Sequence, residues 1–135
     1  LKLINKLNLT NFISIIEPMD YFSVCNKINN YDLGIIIEAR LKEGIFLPSK
    51  LADYIQAKLP ILSYSPNKGV INDIFINYGG GETCDNRKNI SLKLTLMYSL
   101  WKAKKLQKRY LTKSLYNRFS PNYIVNKFNK VVSNI

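Results

Sequence analysis

Apolar residues along this chain fall into short runs that are separated by segments with helical spacing. Three apolar or β-branched runs predict strands, and a fourth, short strand is predicted after a glycine turn at 79–81. The intervening segments carry apolar residues three or four positions apart, as helices with one buried face do. The predicted strands are Phe12–Ile16, Leu33–Ile37, Pro60–Tyr64 and Glu82–Cys84; the predicted helices are 3–7, Met19–Ile28, Pro48–Ala57 and Gly69–Tyr78, then a helical pattern from Arg87 and a last helix from Ser120.

The alternation of strands with helices predicts an α/β fold built on one parallel sheet of about four strands. Strands that are apolar without interruption are typical of a sheet covered by helices on both faces, so we expect three layers that end in C-terminal helices. A chain of 135 residues is large enough to bury one core. We therefore expect a single domain over residues 1–135, of which 86–135 form a basic helical part.

Charge is divided unevenly between the two parts of the chain. Residues 1–85 hold all nine acidic residues and eight Lys/Arg, whereas residues 86–135 hold twelve Lys/Arg and no acid. This asymmetry favours an anionic partner, which can be a phospholipid surface, a phosphate-bearing substrate or a nucleic acid. A lysine-rich, solvated face without a partner explains the same composition.

Several classes of protein are disfavoured by what the chain does not contain. No apolar run approaches the ~20 residues that cross a bilayer, and no secretory leader is recognisable. Cys25 and Cys84 lie far apart without metal-ligand spacing, which favours reduced thiols in a reducing compartment. Histidine is absent, so no imidazole is available as a base or ligand. We expect a cytoplasmic protein with no metal site.

The segment LPSKLADY carries the first candidate chemistry. Backbone N–H groups at the start of a helix bind phosphate, and Ser49, Lys50 and Leu51 would supply them after the strand at 33–37. Asp53, one turn further on, would accept hydrogen bonds from the two hydroxyls of a ribose. The alternative is purely structural: Ser49 caps the helix, Pro48 starts it, and Asp53 is an acid favoured by the helix dipole.

The order of these motifs resembles the carboxyl-terminal domain of GT-B glycosyltransferases of the group 1, family 4-like type. In that family a strand similar to aDlgi precedes the donor loop, and a helix similar to P-x-K-l-x-E-Y-x-x-x-g-x-P-v-l follows it. The later GVINDIF, the glycine turn before GETCD and the tail RFSPNYIVNKFNKVV extend the resemblance over residues 10–133. The residues that match the helix pattern are Pro48, Lys50, Leu51, Tyr54, Pro60 and Leu62.

The resemblance implies a Rossmann-like domain that binds a nucleotide-diphosphate sugar for hexosyl transfer, in cell-surface polysaccharide or glycolipid synthesis. Asp53 stands where the family usually has the glutamate that holds the donor ribose. The family's other glutamate would fall at Ile45, so Glu38 and Glu43 are the nearest candidates for contact with the transferred sugar. The resemblance implies no cofactor, and it identifies no catalytic residue.

The chain also departs from the family pattern. The family's first two strands, their glycine-bearing turn, a basic pair for the diphosphate and the acceptor domain have no counterpart. In a sheet of order 3-2-1-4-5-6 the chain would hold strands 3, 4, 5 and 6, which leaves an exposed edge at Leu33–Ile37. We therefore expect an acceptor domain or partner subunit to complete the protein, and no transfer by this chain alone. Alternatively, Phe12–Ile16 pairs directly with Leu33–Ile37.

Two loops and the basic tail carry further, weaker signals. The glycines at 79–81 and the segment SYSPNKG at 63–69 are interpreted as turns, although the second follows a strand, where α/β proteins bind ligands. The tail WKAKKLQKRYLTK predicts a helix whose apolar face, with lysines beside it, suits an anionic membrane surface. No groove-reading motif accompanies the charge, which disfavours a nucleic-acid partner. That apolar face comprises Trp101, Leu106, Tyr110 and Leu111.

Overall fold

The computed structural model describes residues 2–39 and 41–133. Within these residues the chain forms three strands and eight helices, and strands and helices alternate from β1 to α5. The elements are α1 (Lys2–Lys6), α2 (Tyr21–Ile28), β1 (Gly34–Ile37), α3 (Ser49–Gln56), β2 (Ile61–Tyr64), α4 (Val70–Tyr78), β3 (Gly81–Cys84), α5 (Arg87–Lys102), α6 (Leu106–Tyr110), α7 (Lys113–Arg118) and α8 (Pro121–Val132).

The three strands form one parallel sheet in the order β1-β2-β3. Gly34 of β1 is aligned with Ile61 of β2, which is in turn aligned with Gly81 of β3. The central strand, β2, is the most deeply buried of the three, because helices cover both of its faces. The predicted α/β class and the parallel sheet are therefore confirmed.

The prediction of a fourth strand at Phe12–Ile16 is wrong for the described part of the chain. This segment belongs to no sheet, and its apolar side chains are exposed, with Phe12 at 83%. An apolar sequence favours a strand, but a strand forms only where a neighbour supplies hydrogen-bond partners. The predicted pairing of Phe12–Ile16 with β1 is likewise absent among the described residues.

One face of the sheet is covered by α3, α4 and α7. The side chains of Ile36 and Ile61 point to this face, and Leu51 and Ile55 of α3 pack over them. Leu115 of α7 is fully buried in the same cluster. The short helix α7 therefore belongs to the core of the α/β body, although it lies in the basic C-terminal part.

The opposite face of the sheet is covered by α5 and α6. Leu62 and Cys84 point to this face, and Met97 of α5 packs on them together with Leu106 and Tyr110 of α6. The Tyr110 hydroxyl donates a hydrogen bond to Glu82 of β3 at 2.9 Å. Burial is the main reason that the pKa of Tyr110 lies well above its usual value, and this hydrogen bond to the carboxylate raises the pKa further.

The helical pattern after Arg87 is divided into four helices, and side chains cap the starts of three of them. Asn86, Thr112 and Ser120 accept hydrogen bonds from backbone N–H groups in the first turns of α5, α7 and α8. The apolar residues of α8 stay exposed, because this last helix contacts little beyond α7. No helix of the described chain is long and apolar enough to cross a membrane.

Candidate functional site

A cleft of about 610 Å³ opens where the three parallel strands end. Each strand is followed by a polar residue on its wall: Glu38 after β1, Ser65 beyond β2 and Asp85 after β3. Parallel strands bring their carboxyl ends to one edge of the sheet, and ligands of α/β proteins bind at that edge. This space is called the strand-end cleft, and its lining is Glu38, Ala39, Leu41, Tyr64, Ser65, Pro66, Asp85, Asn86 and Arg87.

Backbone hydrogen bonds continue past the strand ends and hold the cleft residues in place. The N–H of Glu38 donates to the carbonyl of Tyr64 at 3.0 Å, and the N–H of Ser65 donates to the carbonyl of Cys84 at 2.9 Å. The Ser65 hydroxyl is buried and lies 2.8 Å from the hydroxyl of Ser63. The floor of the cleft is therefore built on the rigid sheet rather than on a loop.

The far wall of the cleft joins β3 to the start of α5. The two carboxylate oxygens of Asp85 accept one hydrogen bond each, at 2.7 Å from the side-chain amide of Asn67 and at 2.8 Å from that of Asn86. Asn86 in turn caps α5, since its side-chain oxygen accepts from the N–H of Asn89 at 2.9 Å. Asp85 is thus oriented by two amides, and its remaining lone pairs can accept hydroxyl groups of a ligand.

A pair of glycines ties the loop after β1 to the loop after β2. Gly44 donates to the carbonyl of Lys68 and accepts from the N–H of Val70, both at 2.8 Å. A Cβ on Gly69 would lie 2.5 Å from the carbonyl oxygen of Gly44, so only glycine allows this close approach of two backbones. The bridge fixes the loop that carries Leu41 over the cleft.

Glu38 is the acidic residue whose burial matters most for chemistry in the cleft. Desolvation raises the pKa of its carboxyl group above the usual range of a glutamate. A carboxyl group in this setting accepts hydrogen bonds from hydroxyl groups when ionised, and it donates one when protonated. Glu38 is therefore suited to bind a polyol rather than an anion.

The predicted diphosphate-binding residues lie in the first turn of α3, outside the lining of the strand-end cleft. Ser49 and Lys50 are exposed there. The side chain of Leu51 is fully buried, and its N–H donates to the carbonyl of Pro48 at 3.0 Å. The residue at the N-cap position is Pro48, which makes no side-chain cap, so the alternative in which Ser49 caps the helix is wrong.

Asp53, the predicted ribose ligand, contacts an N-terminal helix. Its Oδ1 accepts a hydrogen bond at 3.0 Å from the hydroxyl of Tyr21, at the start of α2. Interactions of this hydroxyl with Cys25 and then with Asp53 raise the pKa of Tyr21 to about 12. One carboxylate oxygen of Asp53 therefore accepts a hydrogen bond from α2, and the other oxygen would have to accept the hydrogen bonds of a ribose.

The two glutamates predicted to contact the sugar are separated by the structure. Glu38 lines the strand-end cleft, whereas Glu43 forms an exposed ion pair with Lys68 beside the glycine bridge. The structure therefore brings one of the predicted site residues, Glu38, into this cleft. Within the described chain, no cluster of three or more Cys, Asp or Glu side chains has the arrangement of a metal site.

Sequence reasoning missed most of the cleft wall. Asp85, Asn86 and Arg87 were not singled out, although they directly follow a predicted strand. Applying the strand-end rule to every predicted strand would have found them. The segment SYSPNKG was interpreted as a turn, and the structure also places Ser65 and Pro66 on the cleft. The glycines at 79–81 end α4 and start β3, away from the cleft.

Most of the apolar face predicted in the basic tail is buried rather than exposed to solvent. Leu106 and Tyr110 are buried under the sheet, and Leu111 is partly buried against the other core cluster. Of this predicted face, Trp101 alone is exposed; its ring stacks on that of Tyr98 with centroids 5.8 Å apart. Three of the four residues of this predicted face therefore cover the core.

Comparison with known proteins gives no relative for this chain. No family model, no curated protein and no solved structure matches it.

Proposed function

We propose that this chain is the donor-binding part of a GT-B-type glycosyltransferase and holds a nucleotide-diphosphate sugar at the carboxyl edge of its sheet. The observation that carries the proposal is the strand-end cleft, where Glu38, Ser65 and Asp85 converge from three parallel strands. Its volume of about 610 Å³ lies within the range of roughly 300–1,000 Å³ typical of small-molecule sites. The resemblance in motif order, from β1 through α3 to β2, supports the same assignment.

The polar groups of the cleft suit a sugar better than a bare phosphate. Glu38 and Asp85 supply carboxylate oxygens for sugar hydroxyls, and Ser65 adds a hydroxyl. Two carboxylates that line the same cleft would repel a phosphate, and Arg87 is the positive charge in the lining that opposes this repulsion. The transferred sugar therefore occupies the strand-end cleft in this proposal.

The nucleotide would lie towards the start of α3, beyond Glu38. The backbone and side chains of Ser49 and Lys50 would face the diphosphate, with Leu51 contributing only its backbone. Asp53 would accept the ribose hydroxyls through the carboxylate oxygen that Tyr21 leaves available. The helix dipole and Lys50 would stabilise the leaving diphosphate, as such groups do wherever negative charge develops.

Completion of the enzyme requires more than residues 1–135. We propose that an acceptor domain or partner subunit supplies the acceptor site, and that this chain alone does not catalyse transfer. The proposed setting is cytoplasmic, in polysaccharide or glycolipid synthesis at an anionic membrane surface. The helix that suits such a surface is α8, where exposed Ile124, Phe128 and Val131 lie near Lys127 and Lys130.

Calorimetric titration with nucleoside diphosphates and their sugars tests the proposal. Asp53→Ala should weaken both kinds of ligand about tenfold, because both contain the ribose. Glu38→Gln should weaken the nucleotide sugar and leave the nucleoside diphosphate unchanged, because only the sugar reaches the strand-end cleft. Glu43→Gln is the matched control, since Glu43 is exposed and paired with Lys68.

Two results would contradict the proposal. A folded chain that binds none of these ligands at millimolar concentration has no donor site, and a non-catalytic or degenerate module would then be the better interpretation. Equal affinities in all three variants would place the ligand elsewhere on the chain. Circular dichroism of each variant establishes that it is folded.

A further inference from the structure

Asp85 is fixed in the strand-end cleft through both of its carboxylate oxygens. Its Oδ2 accepts a hydrogen bond at 2.7 Å from the side-chain amide of Asn67, and its Oδ1 accepts one at 2.8 Å from that of Asn86. The two amides come from different loops, because Asn67 follows β2 and Asn86 follows β3. A rotation of the carboxylate would therefore break a hydrogen bond to each loop.

The two amides are in turn held by the backbone around them. Asn86 caps α5, since its side-chain oxygen accepts a hydrogen bond from the N–H of Asn89 at 2.9 Å. Asn67 precedes Lys68, whose carbonyl accepts a hydrogen bond from the N–H of Gly44 at 2.8 Å in the glycine bridge. The loop after β2 is thus joined to the loop after β1 on one side and to the end of β3 on the other. The carboxylate is oriented before a ligand arrives.

The hydrogen bonds that Asp85 already accepts limit what a ligand can offer it. An ionised carboxylate has about four positions for donors, two on each oxygen. The amides occupy one position on each oxygen, so one position per oxygen remains. Two donors of a ligand must lie side by side to fill both. Hydroxyls on adjacent carbons of a sugar ring are such a pair unless both are axial.

The charge of Asp85 strengthens this recognition. Both of its partners are neutral amides, and it forms no ion pair within the part of the chain that the structure describes. The negative charge is therefore available to a ligand. Hydrogen bonds that a charged carboxylate accepts are shorter and roughly twice as strong as those between neutral groups.

We propose that Asp85 selects the transferred sugar by accepting hydrogen bonds from two hydroxyls on adjacent ring carbons, and that Asn67 positions it. Because it takes the sugar to lie in the strand-end cleft, this assignment rests on the proposed function. The substrate class that follows is a hexosyl donor in which both hydroxyls of one adjacent pair are free. A donor that lacks either hydroxyl leaves one oxygen of Asp85 without its partner and binds more weakly.

Calorimetric titration with deoxyfluoro donors tests the proposal. UDP-glucose and GDP-mannose are titrated beside analogues in which fluorine replaces one ring hydroxyl, because fluorine cannot donate a hydrogen bond. Fluorine at each of two adjacent positions should weaken binding about tenfold, the low end for a bond to a charged acceptor, since Asp85 is exposed. In Asp85→Ala the loss at these two positions should disappear, while any loss at the third ring hydroxyl stays.

A second variant tests the positioning role of Asn67. Asn67→Ala should reduce both losses from about tenfold to about threefold, because one of the two bonds that orient Asp85 is gone. Its affinity for UDP or GDP should stay unchanged, since these ligands lack the sugar; a merely structural role would weaken all ligands alike. Asn77→Ala is the matched control, because the amide of Asn77 donates to the carbonyl of Asp73 within α4.

The other outcomes would overturn the proposal. Losses that are equal in the wild-type chain and in Asp85→Ala, or that depend on Asp85 at a single position or at positions that are not adjacent, would refute selection of an adjacent pair and leave the donor site in place. A full tenfold loss in Asn67→Ala would refute its positioning role. If neither the nucleotide sugars nor UDP and GDP bind, the proposed function fails as well. Circular dichroism establishes that each variant is folded, and Asn67→Ala carries the test if Asp85→Ala is not.

Discussion

Replacement of Gly69 by alanine tests whether the glycine bridge holds the wall of the strand-end cleft. The added Cβ would lie 2.5 Å from the carbonyl oxygen of Gly44 and 2.7 Å from its Cα and N. All three atoms belong to the backbone, so no flexible side chain can move aside. The loop after β1 must shift, and the two hydrogen bonds that join Gly44 to Lys68 and Val70 must break or lengthen.

The magnitude follows from those two hydrogen bonds. Each contributes about 0.5–1.5 kcal/mol net, so their loss lowers the local opening free energy of the loop by roughly 1–3 kcal/mol. Amide hydrogen exchange measures this directly, because the N–H groups of Gly44 and Val70 are the donors. We expect exchange of both amides to accelerate about 5- to 150-fold in Gly69→Ala, since each 1.36 kcal/mol is a factor of ten.

The matched control is Lys68→Ala, in the same turn. It removes the exposed ion pair with Glu43 and leaves the backbone bonds of the bridge intact. Exposed ion pairs contribute about 0–1 kcal/mol, so exchange at Gly44 should change less than in the glycine variant. If Gly69→Ala leaves the protection of Gly44 and Val70 unchanged, the two loops do not depend on the close approach of their backbones, and the account of the cleft wall is wrong.

Three further substitutions test the core and the electrostatics. Leu115→Ala should lower the free energy of unfolding in urea by about 2–5 kcal/mol because Leu115 is fully buried, whereas Leu92→Ala, at an exposed position of α5, should change it by less than about 1 kcal/mol; equal effects would show that α7 is not part of the core. Tyr110→Phe should cost about 1.5–3 kcal/mol through the lost hydrogen bond to the Glu82 carboxylate, and an unchanged urea midpoint would contradict that bond. Burial raises the pKa of Glu38, so its ionisation costs stability as the pH rises through that pKa; Glu38→Gln should raise the melting temperature at pH 7 and lose this advantage near pH 4, and a constant difference across that range would refute the burial of Glu38.

The periodicity of apolar residues was sufficient to identify β1, β2, α3 and α4, but it did not predict the breaks that divide the helical pattern after Arg87 into α5, α6 and α7. Their ends moved by at most one residue, for instance from Leu33 to Gly34 at the start of β1. Burial drives this agreement, because a buried strand and an amphipathic helix each need a repeating apolar pattern that is visible in the chain. The N-cap residue of a helix was predicted less accurately, since Pro48 rather than Ser49 occupies the cap position of α3.

Patterns in the sequence were sufficient to establish the α/β class, the parallel order of its units and the position of Glu38 at a strand end. Three features depend on tertiary contacts: Phe12–Ile16 joins no sheet, Leu106 and Tyr110 are buried, and Asp85 and Glu38 line the same cleft. Local patterns record how much apolar surface a segment must bury. They do not record which neighbour buries it, because pairing and packing depend on contacts between residues that are distant in the chain.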